Sequence, residues 1–194
     1  MTLLTASRIL PTLALALAVT GTAAPAATEC PPAALDVEAE GRLIASLRAA
    51  SNEDAARRFN AELWALWTDA PDAHAQELLD SGMSRLRFGD LQNAVRAFDA
   101  LVAYCPDYAE GYNQRAFARY LQQDYAPALK DLDRALELSP RHVGALSGKA
   151  LTLIGLGEDR AALDALEAAL ALNPHLSERA LLPMLEERLG AEDL

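Results

Sequence analysis

Pro106, Pro140 and Pro174 recur at intervals of 34 residues, and that constant spacing restricts the fold more than any other feature of the chain. It divides the sequence into residues 75–108, 109–142 and 143–176. Each block carries a small residue at one offset (Gly82, Ala116, Ala150) and a second at another (Ala94, Ala128, Ala162). A bulky apolar residue follows the second one four positions on, at Phe98, Leu132 and Leu166. Small residues let two helix backbones approach, and the large side chain fills the remaining space. The proline then stops the second helix, because it lacks an N–H and its ring clashes with the preceding turn. Each block therefore reads as a helix-turn-helix unit, and such units in series stack so that each buries its apolar stripe against its neighbours.

The middle block is the clearest. Ala109, Gly111, Tyr112 and Ala116 open its first helix, Asp124 and Tyr125 mark the turn, and Ala135, Leu138, Ser139 and Pro140 close the second helix. This pattern resembles the tetratricopeptide repeat. The chain departs from the family at Leu101, where Ala is usual, and at Ser81, Arg115 and Lys149, where Leu is usual. The resemblance implies an all-α, tetratricopeptide-repeat α-solenoid whose first helices line a concave groove for a protein or peptide partner. Carried over by offset, the groove residues are Leu79, Met83 and Arg87, then Asn113, Phe117 and Leu121, then Ser147 and Leu151. A methionine beside an aromatic ring and an amide suits an extended peptide. One family subtype grips a terminal carboxylate with Lys, Asn and Arg. The matching offsets here hold Leu79, Met83, Gln114, Gly144 and Gly148, so that clamp is missing.

The flanks read differently. Residues 1–26 have the outline of a secretory signal peptide: Arg8, an apolar run over residues 9–19, and Ala24-Pro25-Ala26 as a small-x-small site before Ala27. Pro11 and Thr12 interrupt the run, which is short for a membrane span. The expectation is cleavage, a periplasmic location and no membrane insertion afterwards. Residues 27–34, with Pro31 and Pro32, read as a flexible arm. Residues 35–74 hold two helices, one with Leu43, Ile44 and Leu47, the other with Phe59, Leu63, Trp64, Leu66 and Trp67. Asn52 lies in the capping turn between them. Their small residues do not fit the repeat, which makes this unit a degenerate repeat or an N-terminal cap, with Trp64 and Trp67 expected against the first repeat. Residues 177–194 supply a C-terminal capping helix and tail, kinked or restarted at Pro183.

A net charge of −11, one unit more negative without Arg8 and the rest of the leader, argues against nucleic acid and against anionic lipid. Export would permit a disulfide between the two cysteines, Cys30 and Cys105, that straps the arm to the first repeat. Two separate thiols are the alternative, and the sequence leaves both open. No nucleophile, base or metal set stands at interpretable spacing, so no catalytic residue, metal or cofactor is expected. The stretch from Gly144 to Lys149 is no phosphate loop, having three residues between its glycines and no Ser or Thr after the lysine. His74, His142 and His175 read as solvated loop residues, and Glu110, Asp131, Asp133, Glu158 and Asp164 as exposed helix faces and turn caps. The expected function is a non-enzymatic periplasmic scaffold that holds a peptide or protein segment in its groove. The alternative is a cell-envelope assembly factor, in cytochrome or outer-membrane biogenesis, held at the inner membrane by an uncleaved leader.

Overall fold

The computed structural model describes residues 29–192, so the proposed leader lies outside the described residues. The described residues are helical, with no strand among them. Three helix pairs form the repeats: α3 (Ala73–Arg87) with α4 (Leu91–Tyr104), α5 (Ala109–Leu121) with α6 (Tyr125–Leu138), and α7 (Val143–Leu156) with α8 (Asp159–Leu172). Each pair packs within itself, and α4 meets α5 as α6 meets α7, which is the stacking of a solenoid. The small residues sit at the close approaches. Ala94, Ala116, Ala128, Ala150 and Ala162 have no exposed surface. Gly82 faces the ring of Phe98 so closely that a β-carbon there would overlap it.

The turns inside the repeats share one backbone device. Gly89, Gln123 and Gly157, at the same offset in the three blocks, adopt φ of 73°, 61° and 77°. This left-handed conformation favours glycine and strains the glutamine. Asp90, Asp124 and Glu158 follow as N-caps of the second helices. Pro127 falls in the first turn of α6, where its missing N–H has no helical partner to lose.

The N-terminal unit consists of α1 (Val37–Arg48) and α2 (Glu53–Trp67), with Asn52 accepting from the Ala55 N–H at 2.9 Å as the N-cap of α2. It does not extend the stack beyond the first repeat. Instead α1 packs against α8, at the far end of the solenoid. Ile44, Leu47, Leu63 and Trp67 form one buried cluster with Val143, joined by Leu172 and Leu176. Polar contacts fix the placement along the loops that join successive repeats. Arg141 donates to the Val37 carbonyl at 3.2 Å and to Glu40 at 2.6 Å, and the His175 ring lies 3.0 Å from the Ala50 carbonyl.

The N-terminal arm is strapped. Cys30 and Cys105 form a disulfide with Cα atoms 5.2 Å apart. The hairpin is thus fastened at both ends, by this bond and by the short linker into α3. Tyr108, whose phenol burial pushes its pKa far up, donates to the Trp67 carbonyl at 2.8 Å and reinforces the second attachment. At the C-terminus, a 3-10 turn (Ser177–Leu181) leads into α9 (Leu182–Glu192). The helix therefore restarts with Pro183 in its first turn, and Leu185 packs on Ala162, Ala165 and Leu166 of α8.

Candidate functional site

The hairpin turns an open trough into a walled groove. Its cavity, about 450 Å³, is lined by α3, α5 and α7 and by Asn60, Trp64 and Trp67 of α2. Leu176 and Glu178, beyond α8, close the far side. The volume lies within the range typical of ligand pockets. The surface is mainly apolar: Met83, Leu86, Phe117, Tyr120 and Leu151 present side chains to it. Phe117 is 50% exposed and Trp64 39%, large fractions for apolar residues of this size.

Six of the eight residues assigned to the groove by offset line it: Met83, Arg87, Asn113, Phe117, Ser147 and Leu151. Leu79 does not. It is fully buried midway along α3, in the cluster with Phe98, Leu101 and Tyr108. Leu121 is exposed, but it lies beyond the groove at the end of α5. Trp64 and Trp67 separate in role. Trp67 is buried, stacks on His142 with ring centroids 4.1 Å apart, and donates to Glu40 at 3.2 Å, whereas Trp64 faces the groove. The buried contacts of Trp67 are with Val143 and His142 and not with the core of the first repeat.

Beneath the groove lies a polar network that contradicts the reading of Glu110 and His142 as solvated. Both are buried, at 1% and 0% exposure. The Ala145 N–H donates to His142 Nδ1 at 3.2 Å, which leaves the ring proton on Nε2, 2.7 Å from Glu110 Oε2. That carboxylate also accepts from Asn113 Nδ2 at 3.1 Å and from Gln114 Nε2 at 2.5 Å. A carboxylate surrounded by donors acts only as an acceptor. Both amides therefore turn their NH2 groups to Glu110, and both residues line the groove. Asp131 is likewise buried, held by Arg115 and Arg119 at 2.6 and 2.7 Å. A helical-periodicity reading gives no sign of the burial of Glu110 and His142, because the hairpin beside them comes from elsewhere in the chain.

Among the described residues no group of three His, Cys, Asp or Glu could hold a metal ion, and no helix is long and apolar enough to cross a membrane.

Comparison with known proteins agrees with this geometry. The family model described as "Tetratricopeptide repeat" matches residues 109–142. A TPR repeat-containing protein of Rhizobium etli is 30% identical over 133 residues, covering 69% of this chain and 65% of the relative. Tetratricopeptide repeat protein 36 of Mus musculus is 44% identical over 66 residues, covering 34% of this chain and 36% of its own. The chain thus spans about two thirds of the first relative's length and about a third of the second's. Among solved structures, the first TPR of Spaghetti (RPAP3) bound to an HSP90 peptide superposes with a TM-score of 0.60 at 21% identity, covering 61% of this chain and 96% of that one. The TPR2B domain of yeast Sti1 in complex with an Hsp70 peptide gives 0.52 at 27% identity, covering 60% and 93%. These relatives and the helix-pair geometry define a class, the repeat scaffolds that present a concave surface. Within that class the chain carries a tetratricopeptide repeat at residues 109–142, and its fold is that of tetratricopeptide-repeat domains.

Proposed function

We propose that the protein is a non-enzymatic binding scaffold that holds a short peptide segment of a partner in the groove between α2 and the first helices of the repeats. The carrying observation is the placement of Trp64 and Phe117, two large and substantially exposed rings lining one concave, mainly apolar cavity. Aromatic anchors in such a cavity supply most of the binding energy of a small interface. The Spaghetti and Sti1 domains, whose structures hold HSP90 and Hsp70 peptides, support the use of this surface for peptides. The offsets of the carboxylate clamp are apolar, amide or glycine here (Leu79, Met83, Gln114, Gly144, Gly148), so recognition rests on side chains and backbone and not on a chain terminus.

The same reading places the protein in the periplasm. The leader pattern of residues 1–26 and the Cys30–Cys105 disulfide both support export into an oxidising compartment. A mature N-terminus near Ala27, read by sequencing the protein from its native envelope, is the expected result. An intact leader would favour the membrane-held assembly factor instead. For the binding role, a photo-crosslinking residue is placed at Phe117 and, as a control, at Phe88, which is 86% exposed outside the groove. Adducts formed from position 117 and not from position 88 are expected, and equal labelling from the two sites would rule the groove out.

A further inference from the structure

The groove has a charge that nothing among the described residues pairs with. Arg87 is the single cation among its lining residues, and it is exposed at the end of α3. A cation in the last turn of a helix complements the dipole, but Arg85 is there as well and pairs with Asp90 at 3.6 Å. Among the described residues Arg87 has no ion-pair partner. The one lining carboxylate with exposed surface, Glu178, is already engaged, accepting from Ser147 at 2.8 Å and from Ser177 at 3.0 Å. Asn113 and Gln114 also line the groove, and with their NH2 groups held by Glu110 their amide oxygens have no donor among the described residues.

We infer that the segment taken by the groove carries bulky apolar side chains next to an acidic residue, whose carboxylate pairs with Arg87. Its backbone N–H groups donate to the amide oxygens of Asn113 and Gln114. The inference rests on the peptide-binding reading above and specifies its partner. The rest of the molecule sharpens the selection. On a chain of net charge −11 an acidic segment is repelled unless its carboxylate reaches this one cation, so the ion pair separates matching partners from merely apolar or merely acidic ones. The hairpin wall also limits length, because a cavity of about 450 Å³ admits a few large side chains and not a long helix.

The test is a selection of random peptides displayed on phage against the full chain with its disulfide intact, repeated on Arg87→Glu, Trp64→Ala and Phe117→Ala. The wild type is expected to enrich aromatic or large aliphatic residues flanking Asp or Glu, and Arg87→Glu to replace that acidic preference with Lys or Arg. A synthetic peptide of the wild-type consensus is expected to lose about tenfold in affinity for Arg87→Glu at low salt, with a smaller loss at high salt. Because position 87 is exposed, the charge reversal at the end of α3 should lower the melting temperature by no more than about 4 °C, which separates a binding effect from a folding one. An apolar consensus with no acidic preference, unchanged by Arg87→Glu, would overturn this inference while leaving the groove. No consensus, or one indifferent to Trp64→Ala and Phe117→Ala, would overturn the groove reading itself.

Discussion

Breaking the Cys30–Cys105 bond should lower stability by an amount set by the loop it closes. The cysteines are 75 residues apart, and the loop contains α1 to α4, the groove wall and the first repeat together. On the chain-entropy relation a loop of that size contributes about 4.5 kcal/mol by restricting the unfolded chain. For a chain of this length that corresponds to a fall in Tm of roughly 9–18 °C. Cys30→Ala is the cleaner variant, because Cys30 is half-buried whereas Cys105 is 1% exposed and packs in the core beside Phe98 and Tyr108. Thermal unfolding followed by circular dichroism, with and without a thiol reductant, gives the comparison. The oxidised wild type should melt highest, and the reduced wild type should coincide with Cys30→Ala, which should not respond to reductant. If reductant shifts the wild type no more than it shifts Cys30→Ala, the strap contributes nothing and the reasoning fails.

Other substitutions probe separate parts of the structure. Gly82→Ala should destabilise by about 1–3 kcal/mol in urea unfolding, since its methyl would overlap the Phe98 ring between α3 and α4. Gln123→Gly should raise stability by about 1 kcal/mol in the same assay by removing left-handed strain at the one repeat turn that lacks glycine. Leu79→Ala should cost about 2–5 kcal/mol of stability and leave peptide affinity unchanged, as expected of a core residue. Asp72 caps α3 through the Ala75 N–H at 2.8 Å and accepts from Tyr104 at 2.7 Å, and these bonds hold its carboxyl below the usual range. Its contribution is present above the unfolded carboxylate pKa and is lost as pH falls through the lower folded value. The melting temperatures of wild type and Asp72→Ala should therefore differ at neutral pH and converge in acid.

The repeats are legible in the sequence because helix contacts at short range demand small residues at fixed places. Gly82, Ala116 and Ala150, then Ala94, Ala128 and Ala162, announce the backbone approaches before any coordinates are known. Most of the groove follows from the same register, since Met83, Asn113, Phe117, Ser147 and Leu151 occupy equivalent faces of the first helices. The position of the hairpin is not legible. Its anchors are remote in sequence, with Arg141 reaching Val37 across 104 residues, and no local pattern encodes that pairing. The misreading of His142 and Glu110 follows from this one long-range packing, whereas Leu79 and Asp131 are buried within the repeats, beside Phe98 and beneath Arg115 and Arg119. His142 and Glu110 carry charge-capable groups that ordinarily face water, and they are buried because the hairpin covers the loops between repeats. Trp67 and Trp64 look alike in the sequence, but one is buried against His142 and the other stays substantially exposed in the groove.

Hydrogen–deuterium exchange of the full chain, with and without the peptide selected by phage display, measures most directly whether α2 and the first helices of the repeats hold a partner between them. Added protection should concentrate in α2, α3, α5 and α7 and leave α4 and α6 unchanged. Protection confined to α4, α6 and α8, or spread evenly over the chain, would contradict a groove built by the repeats and walled by the N-terminal hairpin.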